Sequence, residues 1–163
     1  MNAFILDRCP VKAANSLCDK HAVKMVLETA QMLSTAARYC GARFPLPVNY
    51  DGLYKSTHLN HPCSVWARST RENFHWLLLH GDAMGHEYSR RYGRVHKSSL
   101  VIQRARDFMR FVPKGELTPF ALAMPEEYKT DCPVESYRSY YIAEKKRIAV
   151  WAHSETPAWW PGE

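Results

Sequence analysis

The stretch CDKHAVKMVLETAQ, residues 18 to 31, carries proton- and carbonyl-active side chains at regular spacing. His21, Lys24, Glu28 and Gln31 step by three, four and three, so an α-helix would hold them on one stripe. Ala22, Met25, Val26, Thr29, Met32 and Leu33 cover most of the remaining surface. A glutamate among apolar neighbours is a candidate general acid or base. Burial favours its neutral form, whereas Lys24 or His21 favours the carboxylate. The same stripe would also serve as a solvated face or a buried salt bridge, and spacing alone leaves these open.

Other groups offer different chemistry. Cys18 and His21, with His58, His61 and Cys63, are residue types that zinc accepts. Their spacings match no strong metal pattern, so neither metal nor cofactor is assigned. His80 and Glu87 would share a helix face two turns apart, and His80 is read as a hydrogen-bonded core histidine. Arg90, Arg91, Arg94 and Lys97 cluster where a helix ends. Arg104, Arg106, Arg110 and Lys114 follow, then Lys145, Lys146 and Arg147. Such groups contact phosphates, with aromatic neighbours to hold unstacked bases. Cations that satisfy a helix C-terminus explain Arg90 and Arg91 as well.

The elements that must position these residues read as helices. Pro10 opens a first helix expected to reach about Tyr39, with Gly41 as its stop. Residues 42 to 65 hold Pro45, Pro47, Asn49, Asp51, Gly52 and Pro62 and read as a long irregular connection. Ser69 and Glu72 resemble a capping box for a helix ending near Tyr92, before Gly93. Gly81 and Gly85 weaken that helix or permit close packing. Further helices are expected over 98 to 110 and 134 to 151, separated by a loop with a short turn around PEEYK. Residues 3 to 6, AFIL, are a short strand or a tail packed on the core. The expected fold is all-α or mostly α, a compact helical bundle with long irregular loops, and one domain over residues 1 to 163.

Composition sets the outer limits. With 46% hydrophobic and 23% charged residues, the 163-residue chain is of ordinary globular type. Its net charge of +6 favours a polyanionic partner such as nucleic acid. No run approaches the roughly 18 apolar residues of a membrane span. The N-terminus lacks the apolar core of a signal peptide. Cys9, Cys18, Cys40, Cys63 and Cys132, odd in number and dispersed, read as reduced thiols of a cytoplasmic protein.

Taken together, several segments resemble the pyrimidine-dimer DNA glycosylases of the phage T4 type. DKHAVKMVLE, residues 19 to 28, is similar to that family's first-helix segment, in which a histidine stands seven residues before the essential glutamate; here these are His21 and Glu28. NHP at 60 to 62 resembles the Asn-His-Pro before a helix in many bacterial members. The segment from Trp76 to Gly93, ending EYSRRYG, and the tail PAWW resemble later family segments. Two features depart from the pattern. Leu27 stands where the T4-type enzyme has an arginine, which leaves Lys24 as the cation on the same face. Asn2 follows Met1 where a small residue is usual.

The resemblance implies a helical enzyme of DNA repair that cleaves the glycosidic bond of a damaged or modified nucleotide, with associated lyase activity. The nucleophile would be the N-terminal amine, at Met1 if methionine stays. α-Amines have an ordinary pKa of about 7.7–8.0, which leaves a useful neutral fraction near pH 7. Glu28 would stabilise the sugar cation and relay protons, and His21 and Lys24 would orient Glu28 or a phosphate. Asn60 and His61 would hold the substrate from the loop, and Arg91, Arg94 and Lys97 would contact the DNA backbone. Two other readings stand beside this one: an enzyme acting on a modified base or free nucleotide, and a non-enzymatic DNA- or protein-binding module.

Overall fold

The computed structural model describes residues 1–162. The fold is all-α, with no strand among the described residues. The expected first helix is two. α1 spans Pro10–Asn15 and α2 spans Asp19–Gly41. The chain breaks between them because Leu17 and Cys18 are drawn fully into the core, with Cys18 extended. Asp19 then donates its backbone N–H to the Val150 carbonyl at 2.8 Å, which ties the start of α2 to the C-terminal tail. AFIL forms no strand; residues 3 to 6 are a buried tail, as the second expectation had it.

A short helix, α3, spans Pro62–Ser69 inside and beyond the segment expected to be irregular. Pro62 supplies a preset φ at its first turn, and the His61 ring caps it by accepting from the Cys63 N–H at 3.2 Å. α4, Arg71–Tyr92, is capped by Thr70 rather than Ser69, and it ends at Gly93 with a left-handed φ of 66°. α5 covers Lys97–Ala105 and tightens into a 3₁₀ segment over Arg106–Phe111. The last helix, α6, covers Pro133–Lys145, shorter than the expected 134 to 151, and a 3₁₀ turn follows. The PEEYK turn is a 3₁₀ turn at Glu126–Tyr128.

The core sits where α2, α3, α4 and α5 pack on one another, with α1 laid on α4. Gly81 makes the close approach possible. A β-carbon there would meet Thr29 of α2 and Ile102 of α5 at 3.0 Å. Tyr137 and Tyr141 anchor α6 with no exposed surface, and Trp159 and Trp160 of the tail pack edge-on against Tyr141.

The connection from 42 to 61 folds back along α2. Tyr54 donates its N–H to Ser34 Oγ at 3.2 Å, Thr57 exchanges two 3.0 Å bonds with Thr35 Oγ1, and Arg38 donates to the Tyr54 carbonyl at 2.7 Å. The loop therefore covers the polar stripe of α2 over its C-terminal half. Over the N-terminal half Lys24 of the stripe is exposed and Gln31 half-buried, with Lys20, Val23 and Leu27 exposed beside them, while His21 and Glu28 are buried.

Candidate active site

Glu28 lies where the covered half of the stripe meets the open half. Its side chain keeps 11% of its surface exposed. Three nitrogen groups face it. Asn2 donates its backbone N–H to Oε2 at 3.0 Å, the Met1 α-amine stands 3.7 Å from the same oxygen, and Lys24 Nζ is 3.0 Å from Oε1. Lys24 remains 63% exposed, whereas the Met1 side chain is buried against Ser64. Glu28, Lys24 and the N-terminus, all read from the sequence as site residues, thus meet at one carboxylate.

The N-terminal segment is held by several independent contacts. Asn2 Nδ2 donates to the Ala123 carbonyl at 2.8 Å, and Asn2 Oδ1 accepts from the N–H of Ala3 (2.8 Å) and of Phe4 (3.3 Å). Phe4 takes a left-handed φ of 45°. His80 is fully buried with its two ring nitrogens at the carbonyls of Pro10 (2.9 Å) and Ala3 (3.1 Å). It links α4 to the tail that carries the amine, which matches its reading as a bonded core histidine. Burial lowers its pKa, against the two carbonyls.

His61 closes the other side. Burial lowers its pKa first, then the N-terminal charge and His58, while Glu28 and the Met1 backbone oppose the shift. It is therefore a neutral neighbour of the amine. The turn before it passes through His58, at a φ of 49°. Phe4 and His58 are the two non-glycine residues with positive φ among those described, one two residues after Asn2 and one three residues before His61. Such strain persists only where surrounding contacts enforce it.

Other expected residues are placed differently. His21 does not touch Glu28 through a hydrogen bond. Its Nδ1 lies 2.7 Å from the Tyr141 hydroxyl, and its ring stacks on Phe4 at 4.8 Å. Burial, then Lys145 and Lys24, lower its pKa to about 4 against the pull of Glu28. It packs on the N-terminal tail at Phe4. Arg91 is a correction. Its side chain has no exposed surface, because its donors go to Glu87, Asp19 and the carbonyls of Leu17 and Asn15. It cannot reach a phosphate. Arg94, on the turn between α4 and α5, and Lys97, the first residue of α5, are exposed, with Arg94 donating to the Tyr88 hydroxyl at 2.8 Å. His96 in that turn meets the Val23 backbone, so the turn borders the open half of α2. Asn60 is exposed on the loop.

The zinc-type residues separate. Cys18 and His21 share Tyr141, while Cys63 sits under the N-terminus with its thiol 3.9 Å from Asn2 Oδ1. Burial pushes the Cys63 thiol up to about 11, so it stays protonated. Among the described residues no group of three or more His, Cys, Asp or Glu side chains has metal-holding geometry.

The sequence reading missed Asn2 as an organiser, although a side chain that bonds its own following backbone is the usual behaviour of asparagine in turns. It also missed Phe4 and Tyr141, which no local pattern distinguishes from ordinary core. Two surface cavities lie away from this carboxylate: one of about 640 Å³ near Trp159 and one of about 480 Å³ near Phe44 and Phe108. Beside Glu28 the exposed α2 side chains are Lys24 and Leu27, and His61 stands near it from the loop side.

No helix among the described residues is long and apolar enough to cross a membrane. The family model for pyrimidine dimer DNA glycosylases matches residues 1–100. That span contains Glu28, both sides of its site and the exposed turn at 93 to 97, and it leaves the aromatic tail outside. Neither the curated proteins nor the solved structures give a match.

Proposed function

The chain belongs to the pyrimidine dimer DNA glycosylase family, and we propose from that premise that it excises a damaged pyrimidine from DNA through an imine to its own N-terminal amine. The observation that carries this reading is the Met1 α-amine 3.7 Å from the Glu28 carboxylate. The neutral amine attacks C1′ of the deoxyribose as the glycosidic bond breaks, and the base leaves with the bonding pair. Glu28 stabilises the positive charge that develops on the sugar and takes the proton that the amine sheds. Ring opening gives an iminium at C1′. Loss of a C2′ proton from that iminium expels the 3′ phosphate, which is the lyase step.

The remaining residues serve this chemistry in distinct ways. The Asn2 N–H holds Oε2 in place from the next residue of the chain. Lys24 balances the carboxylate and reaches solvent, where a phosphate would lie. Asn60 and His61 face the substrate from the loop side. Arg94 and Lys97 contact the DNA backbone across the open half of α2. Changing Lys97 to Ala should weaken binding evenly across sequences and reduce the salt slope by about one ion.

Borohydride trapping on DNA with abasic or pyrimidine-dimer sites tests the reaction. A covalent adduct that maps to Met1, and that disappears when the α-amine is acetylated, is the expected result. An unblocked protein that excises bases without any trapped adduct would replace the imine with direct hydrolysis. A protein that binds DNA and excises nothing would leave a binding module.

A further inference from the structure

The two amines at Glu28 stand on different oxygens of its carboxylate. The Met1 α-amine is 3.7 Å from Oε2, where the Asn2 N–H also bonds, and Lys24 Nζ is 3.0 Å from Oε1. Lys24 carries its ammonium into solvent from one helical turn away. The contact contributes little to the fold. Lysine before glutamate is the weaker order for an i, i+4 pair, and an amine this exposed adds little stability. Excision, however, needs two proton steps: the attacking amine sheds one proton, and the departing base gains one. Glu28 serves the first. Its other neighbours do not suit the second. The Asn2 N–H is a peptide amide. His61 accepts from the Cys63 N–H and is held neutral by burial. His21 is turned to the Tyr141 hydroxyl. Among the described residues, Lys24 is the charged acid at this carboxylate that reaches solvent.

We propose that Lys24 is the general acid that protonates the departing pyrimidine while Glu28 and Met1 act on the sugar. The inference rests on the glycosylase reading and gives Lys24 a chemical role beyond balancing the carboxylate. The bond from C1′ to N1 of the base breaks, and its electron pair passes to the base and spreads onto the O2 carbonyl oxygen. Lys24 Nζ gives a proton to that oxygen. The bond from the Met1 nitrogen to C1′ forms, and the proton shed by that nitrogen goes to Glu28 Oε2. The lysine and the glutamate start as an ion pair and both end neutral, so the step leaves no separated charge in a largely buried site. Lys24 regains its proton from solvent. A pyrimidine joined into a dimer has lost its 5,6 double bond. Its anion is spread over fewer atoms than that of an intact base and gains more from a proton.

An acid for the base matters only where a base has to leave, and this sets the test. Single-turnover rates are measured for excision at a pyrimidine dimer in duplex DNA and for strand cleavage at an abasic site in the same duplex, with urea midpoints to confirm that each variant is folded. Lys24→Met should slow excision about 10²-fold and leave abasic-site cleavage within about twofold. Lys24→Arg keeps the positive charge, but a guanidinium gives up its proton far less readily than an ammonium, so excision should stay slow. Rescue by Lys24→Arg would overturn the acid and leave a purely electrostatic or phosphate contact. Equal slowing of both reactions by Lys24→Met, or no slowing of excision, would overturn it as well. Should the original protein cleave abasic sites and excise nothing from dimers, the glycosylase reading itself fails and the acid role fails with it. Excision by the original protein with unselective variants would sink the acid role alone.

Discussion

Glu28 on α2 and Glu87 on α4 are equally buried, at 8% and 7% exposure, and both face cations, yet they are built for different ends. Glu87 is gripped by two guanidinium groups. Arg90 donates at 2.6 and 2.8 Å and Arg91 at 2.7 Å, and Arg91 continues to Asp19 and two backbone carbonyls. Burial pushes the Glu87 carboxyl up, but the bonds from Arg90 and Arg91 outweigh it and hold the group below its usual range. Every donor in this cluster is permanently charged, and the cluster ties α4 to the α1–α2 junction. Glu28 faces amines instead. One is the Met1 α-amine, proposed above as the nucleophile, one is a lysine reaching solvent, and the third contact is a single peptide N–H. Burial of a carboxylate therefore says little about catalysis; the chemistry of its partners decides.

The largest expected effect separates the two directly. Glu28→Gln should lower excision about 10³–10⁴-fold, worth about 4–5 kcal/mol, with a small change in urea midpoint. Glu87→Gln should do the reverse, losing stability while the folded protein keeps its rate. Matching losses of rate in both variants would dissolve the contrast.

Arg91→Met comes next. It leaves Glu87 and Asp19 facing each other with a buried partner gone, so unfolding should become easier by about 4 kcal/mol in urea titration. Folded Arg91→Met should retain its affinity for DNA, since the side chain never reaches the surface. A loss of affinity with unchanged stability would restore it as a phosphate contact.

His21 gives a third handle, through pH. Its pKa is about 4 in the folded chain and ordinarily about 6.5. Between those values the unfolded chain binds a proton that the folded chain refuses. Stability should therefore fall as pH falls from about 6.5 to about 4, by up to about 3 kcal/mol from this group. His80, also lowered by burial, adds in the same direction. His21→Gln should flatten part of that acid slope in urea midpoints and leave the remainder to His80. An unchanged slope would mean that His21 is protonated in the native chain.

The smallest effect is expected at Lys24. Its amine is mostly exposed, so Lys24→Met should change stability by about 0.5 kcal/mol or less, despite the 3.0 Å bond to Glu28. A change several times larger in denaturant titration would make it a structural partner like Arg91.

Much of this organisation was legible from local signals. The stripe at Lys24 and Glu28, the stop at Gly93 and the helical class follow from 3.6-residue spacing and from residues whose backbone preferences are strong. The break before Asp19 was not legible, because Leu17 and Cys18 fit a helical pattern and are pulled out of it by core burial. Nor was α3, where a proline in a proline-rich stretch opens a helix instead of extending a loop. Arg91 could not be told from Arg90 or Arg94 by type or position, since what differs is that one side chain points into the junction of three elements.

The chain by itself determined which groups were available: a carboxylate and a lysine one turn apart, a basic surplus, and helices long enough to present them. Those follow from covalent order and local backbone preference. Only the tertiary structure decided that residue 1 reaches residue 28, that the loop at 50 to 57 covers one half of the α2 stripe and leaves the other open, and that His21 turns to Tyr141. These are contacts between segments far apart in the chain, chosen by burial and by the requirement that buried polar groups find partners, and no local spacing records them.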